Sequence, residues 1–296
     1  MTERGNVYQQ VTDKVIAEIE AGTLPWVRPW GSTAAPLALP KNASTGRTYS
    51  GVNILLLWGS LFQGGYSSQT WLTFKQALEM GGHVRKGEKG TTIFYADRFV
   101  PKGEQERARQ EGGDPKAIPF LKAFTVFNAE QCENIPVQQD APPAPAREMH
   151  AEAEVLIKAV GADFRIGGND ACYYPLPDYI EVPPQPAFHE QINYYRTAFH
   201  ELGHWTGHAS RLNRDLVNRF GTAGYAREEL VAEMTSAFVC ASLGIAPTVR
   251  HADYIGSWLR VLKNDNRAIF QAASAASKAA DFIMGANTAA QETEAA

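Results

Sequence analysis

The sequence predicts an α+β chain in two domains, and three observations lead to that class. A stretch rich in Pro, Ala and Gln, residues 136–148, interrupts the chain near its middle. Ahead of it helical and strand-like patterns interleave, and behind it helical periodicity dominates with three short strand-like runs. The 296 residues, 44% hydrophobic and 20% charged, are enough to build two cores. The expected division is a first domain at 1–135, a linker at 136–148, a second domain at 149–286 and a disordered tail at 287–296.

In order, Val11, Val15, Ile16 and Ile19 share one face of a helix from Val7 to Ala21 that stops at Gly22. A Pro-rich irregular segment follows to Pro40. Ile54 to Phe62 and Trp71 to Met80 read as apolar helices, the second closing on Gly81-Gly82. Strands are expected at Thr91 to Phe99 and Leu121 to Phe127, with the polar stretch Pro101 to Pro119 as a mobile insertion or hairpin loop. Beyond the linker come a helix at Glu148 to Val160, short strands at Asp163 to Ile166, Ala171 to Tyr174 and Tyr179 to Val182, and a helix at Phe188 to Trp205. Arg227 to Leu243 forms another, closed by Gly244 and Pro247, and Tyr254 to Phe270 and Ala272 to Ile283 are the last two.

Composition excludes several classes. No apolar run approaches 18 residues and the first residues lack a basic-then-apolar leader, so a cytoplasmic protein with no membrane partner is expected. Cys132, Cys172 and Cys240 are odd in number and widely spaced, which suits buried packing residues rather than a disulfide framework or a thiolate metal site.

Chemistry concentrates in Phe199-His200-Glu201-Leu202-Gly203-His204-Trp205. On a helix, residues four apart lie one turn apart on the same face, so His200 and His204 can offer two imidazoles to one metal ion with Glu201 beside them. The motif is short enough to arise by chance, so context decides. Ile192, Tyr195, Phe199 and Leu202 recur at helical spacing in a run free of Pro, which makes the helix real. A catalytic zinc usually has three protein ligands and a water. His208 lies about 12 Å along an unbroken helix from His200, too far for a shared ion, and Ser210 stands where a metzincin pattern needs a third His. Glu229 and Glu233, four apart on the next helix, are the better source: one can bind metal while the other holds a ligand imidazole. This arrangement resembles the gluzincin class, which implies Glu229 as third ligand and Glu233 as its support. Glu228 is assigned to the helix surface.

Between residues 22 and 100, eight Lys and Arg stand against three acidic residues, a balance of +5 in a chain of net charge −4. Trp26, Trp30, Tyr49, Trp58, Phe62, Tyr66, Trp71 and Phe74 lie in the same span. Basic charge tracks phosphates and exposed rings stack on unpaired bases, although most aromatics are core and most Lys and Arg simply solvate a surface.

Several ordered motifs then carry a more specific resemblance. They are Pro25-Trp26 through Pro29-Trp30, Thr45-Gly46-Arg47-x-Tyr49-x-Gly51-x-Asn53, Trp71-x-Thr73-Phe74-x-Gln76, Val84-Arg85-Lys86-Gly87-Glu88-Lys89-Gly90 and Phe124-x-Val126-Phe127-Asn128. Together with the His-Glu-x-x-His and Glu229-to-Glu233 segments, they resemble ArdC-type antirestriction proteins over almost the whole chain. Those plasmid-borne proteins are related to the N-terminal part of TraC-type conjugative primases. The resemblance implies an α+β single-stranded-DNA-binding domain followed by a mostly helical, zincin-like metallopeptidase domain of gluzincin type with a small antiparallel sheet. It further implies protection of incoming DNA during conjugation, single-stranded DNA as partner, and a protein substrate of which a restriction-system component is one candidate.

The expected site therefore has Zn2+, or Mn2+ or another divalent ion, on His200, His204 and Glu229, with Glu201 as general base. Tyr173, Tyr174, Tyr194, Tyr195 or Tyr225 is a candidate for steadying an oxyanion. Arg47, Tyr49, Asn53, Trp71, Arg85, Lys86 and Lys89 are the candidate DNA contacts, from the resemblance together with charge and stacking chemistry. Two other functions stay open: a protein that shields single strands with an idle or structural zinc site, and a protease acting on DNA–protein complexes, resembling the Spartan-type repair proteases.

Overall fold

The computed structural model describes residues 7–27, 38–111, 114–135, 149–188, 190–216, 218, 221–246 and 254–294. The linker expected at 136–148, like Trp30, lies outside them.

Helix α1 (Val7–Glu20) buries the face carrying Val11, Val15 and Ile19. After strand β1 (Lys41–Asn42) comes α2 (Val52–Gly64), an apolar helix buried along most of its length. Strand β2 (Thr70–Thr73) and the short helix α3 (Phe74–Glu79) replace the single helix expected over Trp71 to Met80. Thr70, Trp71 and Leu72 are buried on both faces of a sheet, where β-branched and aromatic residues pack well. Thr73 then caps α3 in a capping box with Gln76.

Strand β3 (His83–Val84) leads to β4 (Thr91–Phe99), which pairs antiparallel with β5 (Ile118–Asn128) from Thr91↔Val126 out to Phe99↔Ile118. The first sheet runs β1-β2-β5-β4, so β4 is an edge. β3 pairs separately with β6 (Cys132–Glu133). The segment expected as a mobile loop between β4 and β5 contains helix α4 (Lys102–Glu111). It is rich in Glu, Gln and Arg, which favour helix without any apolar face for periodicity to reveal, and Arg107 pairs with Glu104 one turn away.

The second part begins with α5 (Ala151–Ala159) and a small sheet of β7 (Asp163–Ile166), β8 (Cys172–Tyr174) and β9 (Tyr179–Val182) in the order β7-β9-β8. The sheet is mixed rather than antiparallel: β7 runs parallel to β9 because the chain crosses over between them, whereas β8 turns directly into β9. Helix α6 (Ile192–Trp205) begins four residues later than expected, after a short 3-10 turn at Gln185–Ala187. Helix α7 (Ala223–Ser242) is buried almost all round and forms the spine of the molecule, packed by α6, by α8 (Ile255–Asn264) and by α9 (Ala268–Glu294). α8 and α9 divide where the Asp265 side chain accepts from the Arg267 backbone N–H, a local turn that competes with helix. The tail expected to be disordered from residue 287 continues α9 as far as Glu294, in Ala-rich sequence with no Pro to stop it.

The two parts share one continuous core. Residues of α1 and α2 cluster with α6, α7, α8 and α9, Trp26 meets Trp258 edge-on at 5.7 Å, and the Gly51 backbone N–H donates to Ser277 Oγ. Among the described residues no helix is long and apolar enough to cross a membrane.

Candidate metal centre

The site forms where α6 crosses α7. Gly203 eases the approach: a methyl group there would stand 3.2 Å from the Ala232 Cα, a tight contact that would push the two backbones apart by a few tenths of an ångström. At that spacing α6 presents His200 and His204 to Glu229 of α7. His204 Nε2 is 3.2 Å from His200 Nε2. The Glu229 carboxylate is 3.6 Å from His200 Nε2 and 3.5 Å from His204 Nε2. Donors bound at about 2.0–2.2 Å in tetrahedral geometry stand roughly 3.4 Å apart, so the triangle has the size one divalent ion requires. The three residues are also the one group of His, Cys, Asp and Glu, among those described, whose donor atoms converge on a common point.

Charge supports the same conclusion. Glu201, Glu229 and Glu233 are buried around the two imidazoles, and buried carboxylates need a cation. Burial alone would raise the Glu229 carboxyl, yet the hydrogen bond to His200, the two imidazoles and the Tyr225 hydroxyl hold it at about 2. Burial would likewise lower His204, but Glu228, Glu229 and Glu201 push it up to about 9. The cluster thus favours positive charge at its centre.

Supporting contacts fix the ligand imidazoles. His204 Nδ1 lies 3.2 Å from Glu228 Oε1. Arg214 clamps that carboxylate with two N–H bonds of 3.0 and 2.8 Å and also donates to the Gly203 carbonyl and Thr206 Oγ at the end of α6. Glu228 is therefore no surface carboxylate, because the turn after α6 folds back and carries Arg214 over it. Glu233 Oε1 lies 3.7 Å from His200 Nδ1. Glu201 Oε2 accepts from the Tyr173 backbone N–H at 2.9 Å, which ties this buried carboxylate to edge strand β8.

A cleft of about 310 Å³ opens over these residues, its lining including Cys172 and Tyr173 of β8 together with Leu216, Tyr225 and Tyr254. Cys172 is half-buried in this lining, unlike the fully buried Cys132 and Cys240. Of the five tyrosines considered for an oxyanion role, Tyr225 lines the cleft next to Glu229, with its hydroxyl 3.0 Å from that of Tyr254. The Tyr173 hydroxyl is engaged by Asp178 and Arg211. Tyr174 stacks on Tyr179, and Tyr194 and Tyr195 are core. His208 sits past the end of α6 against Ser210 Oγ. Sequence reasoning missed Arg214 and Tyr254, and neither belongs to a spacing that would have marked it.

The candidate DNA contacts do not gather at one point. Trp71 is fully buried among Leu57, Leu61, Ile93 and Val126, so it has no face to offer a base and is withdrawn as a contact. The Asn53 amide is spent on β4, donating to the Phe94 carbonyl at 2.7 Å and accepting from its N–H at 2.8 Å. Tyr49 is half-buried, its hydroxyl accepting from Asn42 Nδ2. Arg47, Lys86 and Lys89 are exposed, as is Arg85, which pairs with Glu88 at 2.8 Å.

Two family descriptions match the chain: the N-terminal domain of anti-restriction factor ArdC over residues 5–127, and a zincin-like metallopeptidase over residues 151–275. The metal-free crystal structure of the antirestriction ArdC protein from plasmid R388 superposes with a TM-score of 0.81 at 42% identity, covering 96% of this chain and 98% of that one. The chain belongs to the ArdC antirestriction family. The Mn(II)-bound structure of the same R388 ArdC protein matches with a TM-score of 0.80 at 40% identity, over 95% of this ArdC-family chain and 98% of the other. The uncharacterized protein y4eC of Sinorhizobium fredii is 36% identical over 98% of this chain and 95% of its own length. A DNA primase TraC of Escherichia coli is 39% identical over 94% of this chain, which spans only 27% of that primase.

Proposed function

We propose that this ArdC-family protein is an antirestriction factor that binds single-stranded DNA and hydrolyses peptide bonds at its His200, His204 and Glu229 site, protecting DNA as it enters a cell by conjugation. The observation that carries the peptidase reading is the donor triangle lying beside Glu201 at the floor of a cleft whose wall is an edge strand. Two imidazoles and one carboxylate suit zinc, and manganese is the alternative. A bound ion at these residues supplies Lewis acidity, making water acidic and a peptide carbonyl electrophilic.

The chain's own groups do the rest. An extended peptide lying along β8 is held by main-chain hydrogen bonds, with its scissile carbonyl over the floor of the cleft. Glu201, steadied through Oε2 by the Tyr173 N–H, takes a proton from the attacking water on its other oxygen. Water oxygen adds to the carbonyl carbon, the C–N bond breaks, and the proton held by Glu201 passes to the departing amine. Tyr225, which also lines the cleft, donates its hydroxyl toward the oxygen that gains charge. The protein substrate is a component of a restriction system or a protein held on DNA.

The test incubates zinc- or manganese-loaded protein with such candidates, with and without single-stranded DNA, beside a Glu201→Ala control that keeps the ligands. Fragments that appear with the parent and not with Glu201→Ala support the reading. Identical fragment patterns from both, or none from either with any substrate, remove the peptidase part.

A further inference from the structure

Along β4 the sheet leaves rings uncovered on the face that carries the odd-numbered residues of the strand. Tyr95 is 52% exposed, Phe99 49% and, across the ladder on β5, Phe124 37%. Phe120 lies between Tyr95 and Phe99, 6.4 and 6.0 Å from them, so the rings form a row. Lys122 places its ammonium 4.9 Å over the Phe124 ring. Beside this row lies a groove of about 700 Å³ whose lining includes Tyr8, Tyr49, Tyr95, Phe124 and Phe270. The Arg267 guanidinium lies 5.1 Å over the Tyr8 ring. A second groove of about 620 Å³ shares Phe94 with the first and carries Lys14 and Lys89.

Exposed apolar rings on an edge strand would ordinarily invite another strand. Here that occupant is obstructed, because the Asn53 amide already takes both backbone groups of Phe94 midway along β4. What remains accessible is ring faces, with cations set beside them at intervals. That combination matches an unpaired nucleic-acid strand, whose bases need π-faces and whose phosphates need positive charge. The one carboxylate on the same face of β4, Asp97, accepts from the Tyr95 hydroxyl.

We propose that single-stranded DNA lies along β4, its bases stacking on Tyr95 and Phe124 and a phosphate meeting Lys122 on that face, and that it crosses the edge of the strand to the Phe94 side, where Arg267, Lys89 and Lys14 meet further phosphates. This rests on the reading of the protein as a single-strand binder. It moves the stacking platform from the buried Trp71 to the exposed sheet face, and it draws Arg267, from the second part of the chain, into the interface.

The experiment measures binding of fluorescein-labelled oligo(dT) to the full chain by anisotropy across a salt series, with unlabelled duplex as competitor. Tyr95→Ala and Phe124→Ala should each weaken binding roughly tenfold. Tyr95→Phe should keep the parental affinity. Lys122→Ala with Arg267→Ala should flatten the dependence of affinity on salt by roughly 0.7 in the log–log slope for each cation removed from a phosphate. If the parent binds oligo(dT) and both alanine variants bind equally well with unchanged melting temperature, the platform is elsewhere and the strand-binding reading survives. Loss with Lys86→Ala alone would place the strand on the Arg85–Lys89 turn and overturn the proposal. If the parent fails to bind oligo(dT) at all, the strand-binding reading falls and this inference falls with it. If light scattering shows a parental dimer that Tyr95→Ala makes monomeric, while oligo(dT) affinity stays unchanged, the ring row is an interface between copies and the proposal is overturned.

Discussion

Replacing Glu228 by Gln tests how the metal site is held. The substitution keeps the shape of the side chain but removes the charge that faces His204 Nδ1 at 3.2 Å and Arg214 at 2.8 and 3.0 Å. Partners that orient a ligand imidazole are worth about 10- to 100-fold in metal affinity, or roughly 1.4–2.7 kcal/mol at 1.36 kcal/mol per decade. Glu228 is only 11% exposed, so solvent screens the interaction little. Arg214 keeps its bonds to the Gly203 carbonyl and Thr206 Oγ, so the turn after α6 should stay folded. The corresponding Glu233→Gln change acts on His200 from 3.7 Å, beyond hydrogen-bond distance, and should cost less. The assay is competition of zinc or manganese against a chromogenic chelator, with circular dichroism to verify folding. Affinity of Glu228→Gln within twofold of the parent, or a larger loss in Glu233→Gln, would refute the argument that Glu228 is the principal support of a ligand.

Metal should stabilise the folded chain by mass action, about 2.7 kcal/mol at a hundredfold excess over Kd, and raise its melting temperature. Glu229→Gln should lose that response while Glu201→Gln keeps it; an equal rise in both variants would show that Glu229 is no ligand. Asp178→Asn tests the ion pair between the β8–β9 turn and Arg211. The Arg211 guanidinium, with the Tyr173 hydroxyl, holds the Asp178 carboxyl below its ordinary value. Because the folded-state pKa is the lower one, the ion pair stabilises the fold above the unfolded pKa of about 3.9 and the contribution is lost as pH falls through the folded value. Asp178 is 34% exposed, so screening limits the effect to about 1 kcal/mol. Asp178→Asn should therefore lower the melting temperature by about 2 °C at pH 7, and the gap should close as the pH falls through the lowered folded value of the Asp178 carboxyl. A gap that persists below that value would mean the substitution acts through packing rather than charge.

The sequence signals that held were local ones. The 3.6-residue recurrence of Ile192, Tyr195, Phe199 and Leu202 produced a buried helix face, and the four-residue spacing of His200 and His204 placed both rings on the other side. The same spacing put Glu229 and Glu233 on one face of α7, and the gluzincin resemblance singled out Glu229, which the structure brings to the two imidazoles. The signals that failed each involved a distant partner. Trp71-Leu72-Thr73 has helix-compatible apolar residues, but pairing with Val126, Phe127 and Asn128 makes it a strand and buries the ring intended for DNA. The 102–111 helix has no apolar face, so no pattern betrayed it.

Glu228 shows the division most plainly. Neighbouring residues on a helix differ by about 100° in direction, so spacing separates Glu228 from Glu229 but says nothing about what each meets. By itself the sequence determined the elements, the paired imidazoles and the family motifs, because these depend on residues within a turn or two of one another. Only the tertiary structure decided which carboxylate faces which nitrogen, which aromatic rings stay uncovered, and that α1 and α2 share a core with α8 and α9. Those depend on how rigid elements distant in sequence are rotated and pressed together, and no local pattern encodes that rotation.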